Sequence, residues 1–202
     1  MNYLFLHRMG VVFGLFLTMV GCASTAPTRF YSLNPMDATD TAPVAASADQ
    51  DFVIGVGPVK IPDYLNRSNI VTRTSKNQLK FSEFDKWAGF LANDISRVMA
   101  ENLSVLASTE HVYVFPWRSY IPVKYQVVVN VTRFEGVLGG EVSLAASWSI
   151  IGEEGKGIIL MDKAGFSEKT DGKDYDALIA AKSRLVVKLS RAIVASIHEI
   201  SN

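Results

Sequence analysis

Apolar positions along this chain recur sometimes at every second residue and sometimes at three- to four-residue spacing, and the switches mark strands and helices. Arg29-Phe30-Tyr31-Ser32-Leu33 has the aromatic and aliphatic content of a strand. Phe52-Val53-Ile54-Gly55-Val56 predicts a short buried strand, and Pro58 and Pro62 bracket an extended segment ending at Tyr64-Leu65. Ile70-Val71-Thr72-Arg73 and Gln78-Leu79-Lys80-Phe81, either side of the polar turn Ser75 to Asn77, predict a hairpin. Ser82 stands three residues before Asp85 as an N-cap signal. Phe84, Trp87, Ala88, Leu91, Ile95, Val98, Met99, Leu103 and Leu106 follow at helical spacing. The expectation is one amphipathic helix of about six turns.

The second half predicts the sheet that this helix covers. His111-Val112-Tyr113-Val114-Phe115 reads as a strand ending at Pro116, and Tyr125 to Phe134 as a strand with an apolar centre. Gly136, Gly139 and Gly140 turn the chain into Glu141 to Ile151, where Val142, Leu144, Ala146, Trp148 and Ile150 alternate with small or polar residues. After a solvated turn at Gly152 to Gly157, which includes Glu153-Glu154, Ile158 to Met161 is a further strand that Lys163 to Thr170 extends. A closing helix from Asp174 to Ile200 carries the stripe Leu178, Ile179, Leu185, Val186, Leu189, Ile193, Ile197 and Ile200. The fold class read from this order is α+β: a mixed, mainly antiparallel sheet with two long amphipathic helices packed on one face.

The first residues belong to a different pattern. A single cation, Arg8, precedes the apolar run Val11 to Val20, and Met19-Val20-Gly21 leads into Cys22, the only cysteine in the chain. A core of about ten apolar residues suits a signal peptide and falls short of the ~20 that span a bilayer. Residues 1–21 are therefore expected to be a lipoprotein signal peptide, with acyl chains attached at Cys22, and no other cofactor is expected. Two or more chains anchor a protein stably where one does not. Ala23, rather than Asp, follows the cysteine, which points to the periplasmic face of an outer membrane. Residues 22–28 form a lipidated tether; Ala23 to Thr28 extended reach only about 20 Å. The domain is expected over residues 29–202, with an exposed loop at 34–51 that is rich in Ala, Asp, Thr and Pro.

Charge and chemistry narrow the picture. Lys and Arg number 20, as do Asp and Glu, so no electrostatic argument favours nucleic acid as a partner. Once the leader is gone, His111 and His198 are the only histidines, at no zinc-site spacing. There is no Gly-x-Ser-x-Gly elbow and no free cysteine nucleophile. Gly55-x-Gly57 runs into Pro58 instead of a helix, so it is not a nucleotide loop. The chain does not read as an enzyme.

The run Val56-Gly57-Pro58-Val59-Lys60-Ile61-Pro62-Asp63-Tyr64-Leu65-Asn66-Arg67 carries a resemblance, supported by Ile70-Val71-Thr72-Arg73, Trp87-Ala88, Phe115-Pro116-Trp117 and Tyr125-Gln126-Val127. It resembles the PqiC (YmbA-like) family of auxiliary lipoproteins of ABC-type transport, over nearly the whole mature chain. That family usually follows its tryptophan-alanine pair with an acidic residue and proline, where this chain has Gly89-Phe90. The resemblance implies an outer-membrane lipoprotein working with an MCE-domain tunnel protein in lipid transport that maintains envelope integrity. A direct lipid carrier and an assembly lipoprotein of another envelope or secretion machine are the alternatives, and a homo-oligomer, such as a ring, stays open.

Partner-binding candidates are Pro62, Tyr64, Arg67, Arg73 and Trp117. Tyr64 is read more readily as packing than as a docking surface, and Arg67 and Arg73 equally as internal ion pairs or partner contacts. Trp117 is expected to be an exposed aromatic in a polar loop. On this reading Arg73→Glu leaves folding intact and weakens partner binding.

Overall fold

The computed structural model describes residues 26–37, 53–152, 155 and 157–201. The signal peptide, Cys22, most of the tether and of the 34–51 loop, and the Glu153-Glu154 turn lie outside the described residues. The strands are β1 (Arg29–Tyr31), β2 (Ile54–Lys60), β3 (Asn69–Ser75), β4 (Gln78–Trp87), β5 (Val112–Val114), β6 (Tyr125–Gly136), β7 (Glu141–Ile151) and β8 (Ile158–Lys169). The helices are α1 (Leu91–Leu106) and α2 (Tyr175–Ser201).

Five strands form the main sheet in the order β5-β2-β6-β7-β8. β2 runs parallel to both β5 and β6, while β6, β7 and β8 form an antiparallel meander. Alternation along β7 sends Val142, Leu144, Ala146, Trp148 and Ile150 inward, each at most 4% exposed. On β6, Val127, Val129 and Val131 share that face. Both helices cover it. Ile95, Val98, Met99 and Leu103 of α1 and Leu185, Val186, Leu189 and Ile193 of α2 are fully buried. Burying an aliphatic side chain contributes about 1.5–3 kcal/mol, so this interface dominates the stability. Trp148 donates its indole N–H to Ser196 Oγ of α2 at 3.2 Å, which satisfies its polar atom inside the core.

Two sequence expectations change. The hairpin β3–β4 does not join the main sheet; with β1 it forms a separate three-stranded sheet in the order β1-β4-β3, in which β1 is parallel to β4. The helix expected from Ser82 begins only at Leu91, because Gln78–Trp87 is strand. Its backbone pairs on both sides, Val71 with Phe81 and Tyr31 with Trp87, and those long-range bonds override the local helical pattern. The cap chemistry of Ser82 exists but serves the strand. The Asp85 N–H donates to Ser82 Oγ at 3.0 Å, and that hydroxyl donates to the Asp85 carboxylate at 2.8 Å. This happens within an irregular stretch where β4 is longer than its β3 partner.

The start of the expected loop is also tied down. Leu33 and Met36 are buried, the Asn34 N–H donates to Ser183 Oγ at 3.1 Å, and the Met36 N–H donates to Asn102 Oδ1 at 2.8 Å. Asn102 and Ser183 are polar positions within the two helices, so residues 34–37 are laced across both.

Candidate functional site

The 56–73 segment ends in a polar node at the junction of the two sheets. A short 3-10 turn, Asp63–Leu65, starts after half-buried Pro62, whose carbonyl accepts the Leu65 N–H at 2.9 Å. Leu65 is 1% exposed and pins the turn to the core. That places the Tyr64 hydroxyl against Glu135 Oε2, to which it donates at 2.8 Å. Arg73 approaches the same carboxylate from β3. Its Nε and Nη2 donate to Oε1 at 3.1 and 2.6 Å, and its Nη1 reaches the Lys76 carbonyl at 2.6 Å. The Phe134 N–H adds a bond to Oε2 at 3.2 Å, and Arg133 Nε lies 3.8 Å from Oε1.

Glu135 itself is 2% exposed. Burial alone would raise its carboxyl, but the bonds from Arg73, Tyr64 and the Phe134 N–H together hold it below the ordinary glutamate value. The same contact acts on Tyr64 in the other direction. Burial first, then the bond to the Glu135 carboxylate, pushes the phenol up to about 12. Tyr64 and Arg73 are thus spent within the molecule. Arg67 is placed differently: it is exposed, with its guanidinium carbon 4.2 Å above the Phe81 ring.

Two members of the node, Lys182 and Glu135, are absent from the sequence reading. Lys182 of α2 is 1% exposed and donates from Nζ to the Phe134 carbonyl at 2.8 Å. Its ammonium faces the rings of Phe134 at 4.5 Å and Trp87 at 5.4 Å. Desolvation drives its pKa down to about 7, against the pull of the Glu135 carboxylate. The signal was present: Lys182 falls four residues after Leu178 and three before Leu185, on the apolar stripe of its helix. Glu135, one residue beyond the expected end of its strand, is the other partner that sequence reasoning missed.

Trp117 lies apart from this node and is not a free aromatic. It is half-buried against the outer face of the main sheet, over Gly55, where an added Cβ would come within 2.6 Å of the indole ring. Phe115 meets it edge-on, with ring centroids 5.5 Å apart. The most exposed aromatic of that loop is Tyr120, at 75%. Among the described residues no group of three or more His, Cys, Asp or Glu could hold a metal ion. Within the same residues no helix is long and apolar enough to cross a membrane.

The model of a family described as the ABC-type transport auxiliary lipoprotein component matches residues 31–194, which takes in the main sheet, β3, β4, α1 and most of α2. This chain belongs to that family. The auxiliary lipoprotein has the fold of two solved structures. One, titled an uncharacterised protein, is 20% identical with a TM-score of 0.69, covering 85% of this chain and 99% of that one. The other, a Xanthomonas campestris protein of family DUF330, is 12% identical with a TM-score of 0.64, covering 82% of this chain and 92% of that one. No curated protein matches in sequence. Membership places the auxiliary lipoprotein in the cell envelope as an accessory of transport, in agreement with the family resemblance of the 56–73 segment.

Proposed function

We propose that this auxiliary lipoprotein is a non-catalytic docking subunit of an MCE-type lipid-transport system, acylated at Cys22 and held at the periplasmic face of the outer membrane. The observation that carries this reading is the family match over the main sheet, α1 and most of α2. Its mechanism is positional. Acyl chains hold the body within about 20 Å of the membrane, and a partner that spans the periplasm meets it there. With Tyr64 and Arg73 engaged with Glu135, Pro62 and Arg67 are the remaining partner-binding candidates of the 56–73 segment.

Direct carriage of lipid between helices and sheet is disfavoured by the packing. The facing side chains of α1, α2 and the main sheet are buried against one another, and a close-packed interface leaves no room for acyl chains. In-cell crosslinking, mild-detergent purification of the acylated protein and mass spectrometry of what stays attached test the proposal. An MCE-domain protein is the expected capture, weakened by Arg67→Glu. Recovery of secretion or cell-wall components alone would transfer the protein to the assembly-lipoprotein reading.

A further inference from the structure

Two of the most exposed large apolar side chains, Phe30 at 65% and Phe90 at 73%, flank the point where the tether enters the folded body. Ala26, Pro27 and Thr28 are exposed and lead directly into β1. On β1, Arg29 and Tyr31 both reach the Asp85 carboxylate, at 2.8 and 3.1 Å. Alternation therefore turns Phe30 to the opposite face, where its cross-strand partner is Lys86. The Ala88 N–H donates to the Tyr31 carbonyl at 2.8 Å, and Phe90 follows two residues later at the head of α1. Chain geometry then holds the Cα atoms of Phe30 and Phe90 within about 17 Å of each other.

Charge on this part of the molecule is uneven. Residues 29–31 and 63–87, the three-stranded sheet with its turn, carry six basic and three acidic side chains in a chain whose charges balance as a whole. Arg73 is neutralised by Glu135 of the main sheet, which still leaves two positive charges in excess. Aromatic side chains beside a lysine, at the root of a short lipidated tether, suit a bilayer surface containing anionic phospholipid. The rings enter the headgroup and acyl boundary while the ammonium stays at phosphate level.

We infer that the outer face of the three-stranded sheet, together with the adjoining head of α1, is a membrane-resting surface, with Phe30 and Phe90 inserted into the leaflet that carries the acyl anchor and Lys86 at its headgroups. This inference rests on the proposed acylation of Cys22. It adds a fixed orientation: the body lies on its membrane by a defined face, at an insertion depth of about 5–10 Å for the rings, instead of swinging on the tether.

The test uses the full acylated protein in vesicles of phosphatidylethanolamine and phosphatidylglycerol. Nitroxide labels are placed through Phe30→Cys, Phe90→Cys and, as a control, Met161→Cys, an exposed position on the edge strand β8. The expected result is a several-fold higher ratio of oxygen to polar-reagent collisions at positions 30 and 90 than at 161, falling when Lys86→Glu is added. Labels at 30 and 90 as open to the polar reagent as the label at 161 overturn the inference. Labels shielded from both reagents, as a protein interface would shield them, overturn it equally. Intact-mass measurement of the acylated cysteine is read separately: protein without acyl chains contradicts the anchor itself, whereas acylated protein with aqueous labels contradicts only the resting surface.

Discussion

Glu135 and Lys182 are the two residues whose surroundings decide most about the behaviour of this protein in solution. The folded-state pKa of Glu135 is depressed below 4.5, so its bonds contribute stability that is present above that pH and lost as pH falls through the folded value. Removing Arg73 leaves a carboxylate buried with its main counter-charge gone, at a cost of about 3 kcal/mol. In Arg73→Ala the main group that offsets burial is gone, so the carboxyl titrates higher than in the parent and the variant loses less stability than the parent as pH falls through 4.5. Urea unfolding of both proteins from about pH 7 down through 4.5 checks this: the stability gap between parent and variant is expected to narrow as pH falls. Arg73→Glu, expected from sequence to leave folding intact, sets a second carboxylate against Glu135 and is at least as destabilising.

Lys182 behaves in the complementary way. Its pKa in the fold is about 7 against an ordinary 10.5, so the unfolded chain binds more protons between those values and stability rises with pH across that window. The cost of burying the charge is fully present below about pH 7. Lys182→Met removes this contribution. The difference in urea midpoint between the methionine variant and its parent is therefore expected to shift in favour of the parent as pH rises through the window. A pH-independent difference would show that Lys182 is not buried as described.

At the scale of elements, close approach and pairing matter more than propensity. The indole of Trp117 occupies the space above Gly55 on β2, so a methyl group there forces the ring away. Gly55→Ala is expected to destabilise by about 1–3 kcal/mol, the usual cost of overpacking. Most of that cost should vanish in a Trp117→Ala background, which a double-mutant cycle of thermal or urea unfolding measures directly. Additive effects would place the ring elsewhere. β4 makes a related point: Phe84, Trp87 and Ala88 fit a helix in sequence, yet β1 and β3 supply backbone partners on both sides and the segment is strand as far as Trp87. Local cap signals do not record that competition, because the competing bonds come from residues far along the chain.

For the molecule as a whole, the anchor and the body are expected to be separable. Ala26 to Thr28 are exposed, so nothing in the described core depends on the tether. Cys22→Ser is expected to leave the urea midpoint unchanged while moving the protein from the membrane to the soluble fraction of fractionated cells. Retention in the membrane fraction would mean that an uncleaved leader, not acyl chains, holds the protein.

Sequence by itself determined the type of most elements, the α+β class, the two amphipathic helices and the family, because periodicity and motif are local properties that each stretch carries with it. The inward alternation of β7 and the stripe of α2 were legible for that reason, and so was the burial of Trp87, although its element was not. Only the tertiary structure decided that the hairpin forms a second sheet, that Arg73 and Tyr64 meet Glu135, that Lys182 is buried with one carbonyl and two rings, and that Trp117 covers Gly55. Each of these depends on which distant residues become neighbours, and the energy of a buried charge or a close backbone approach exists only once that neighbour is in place.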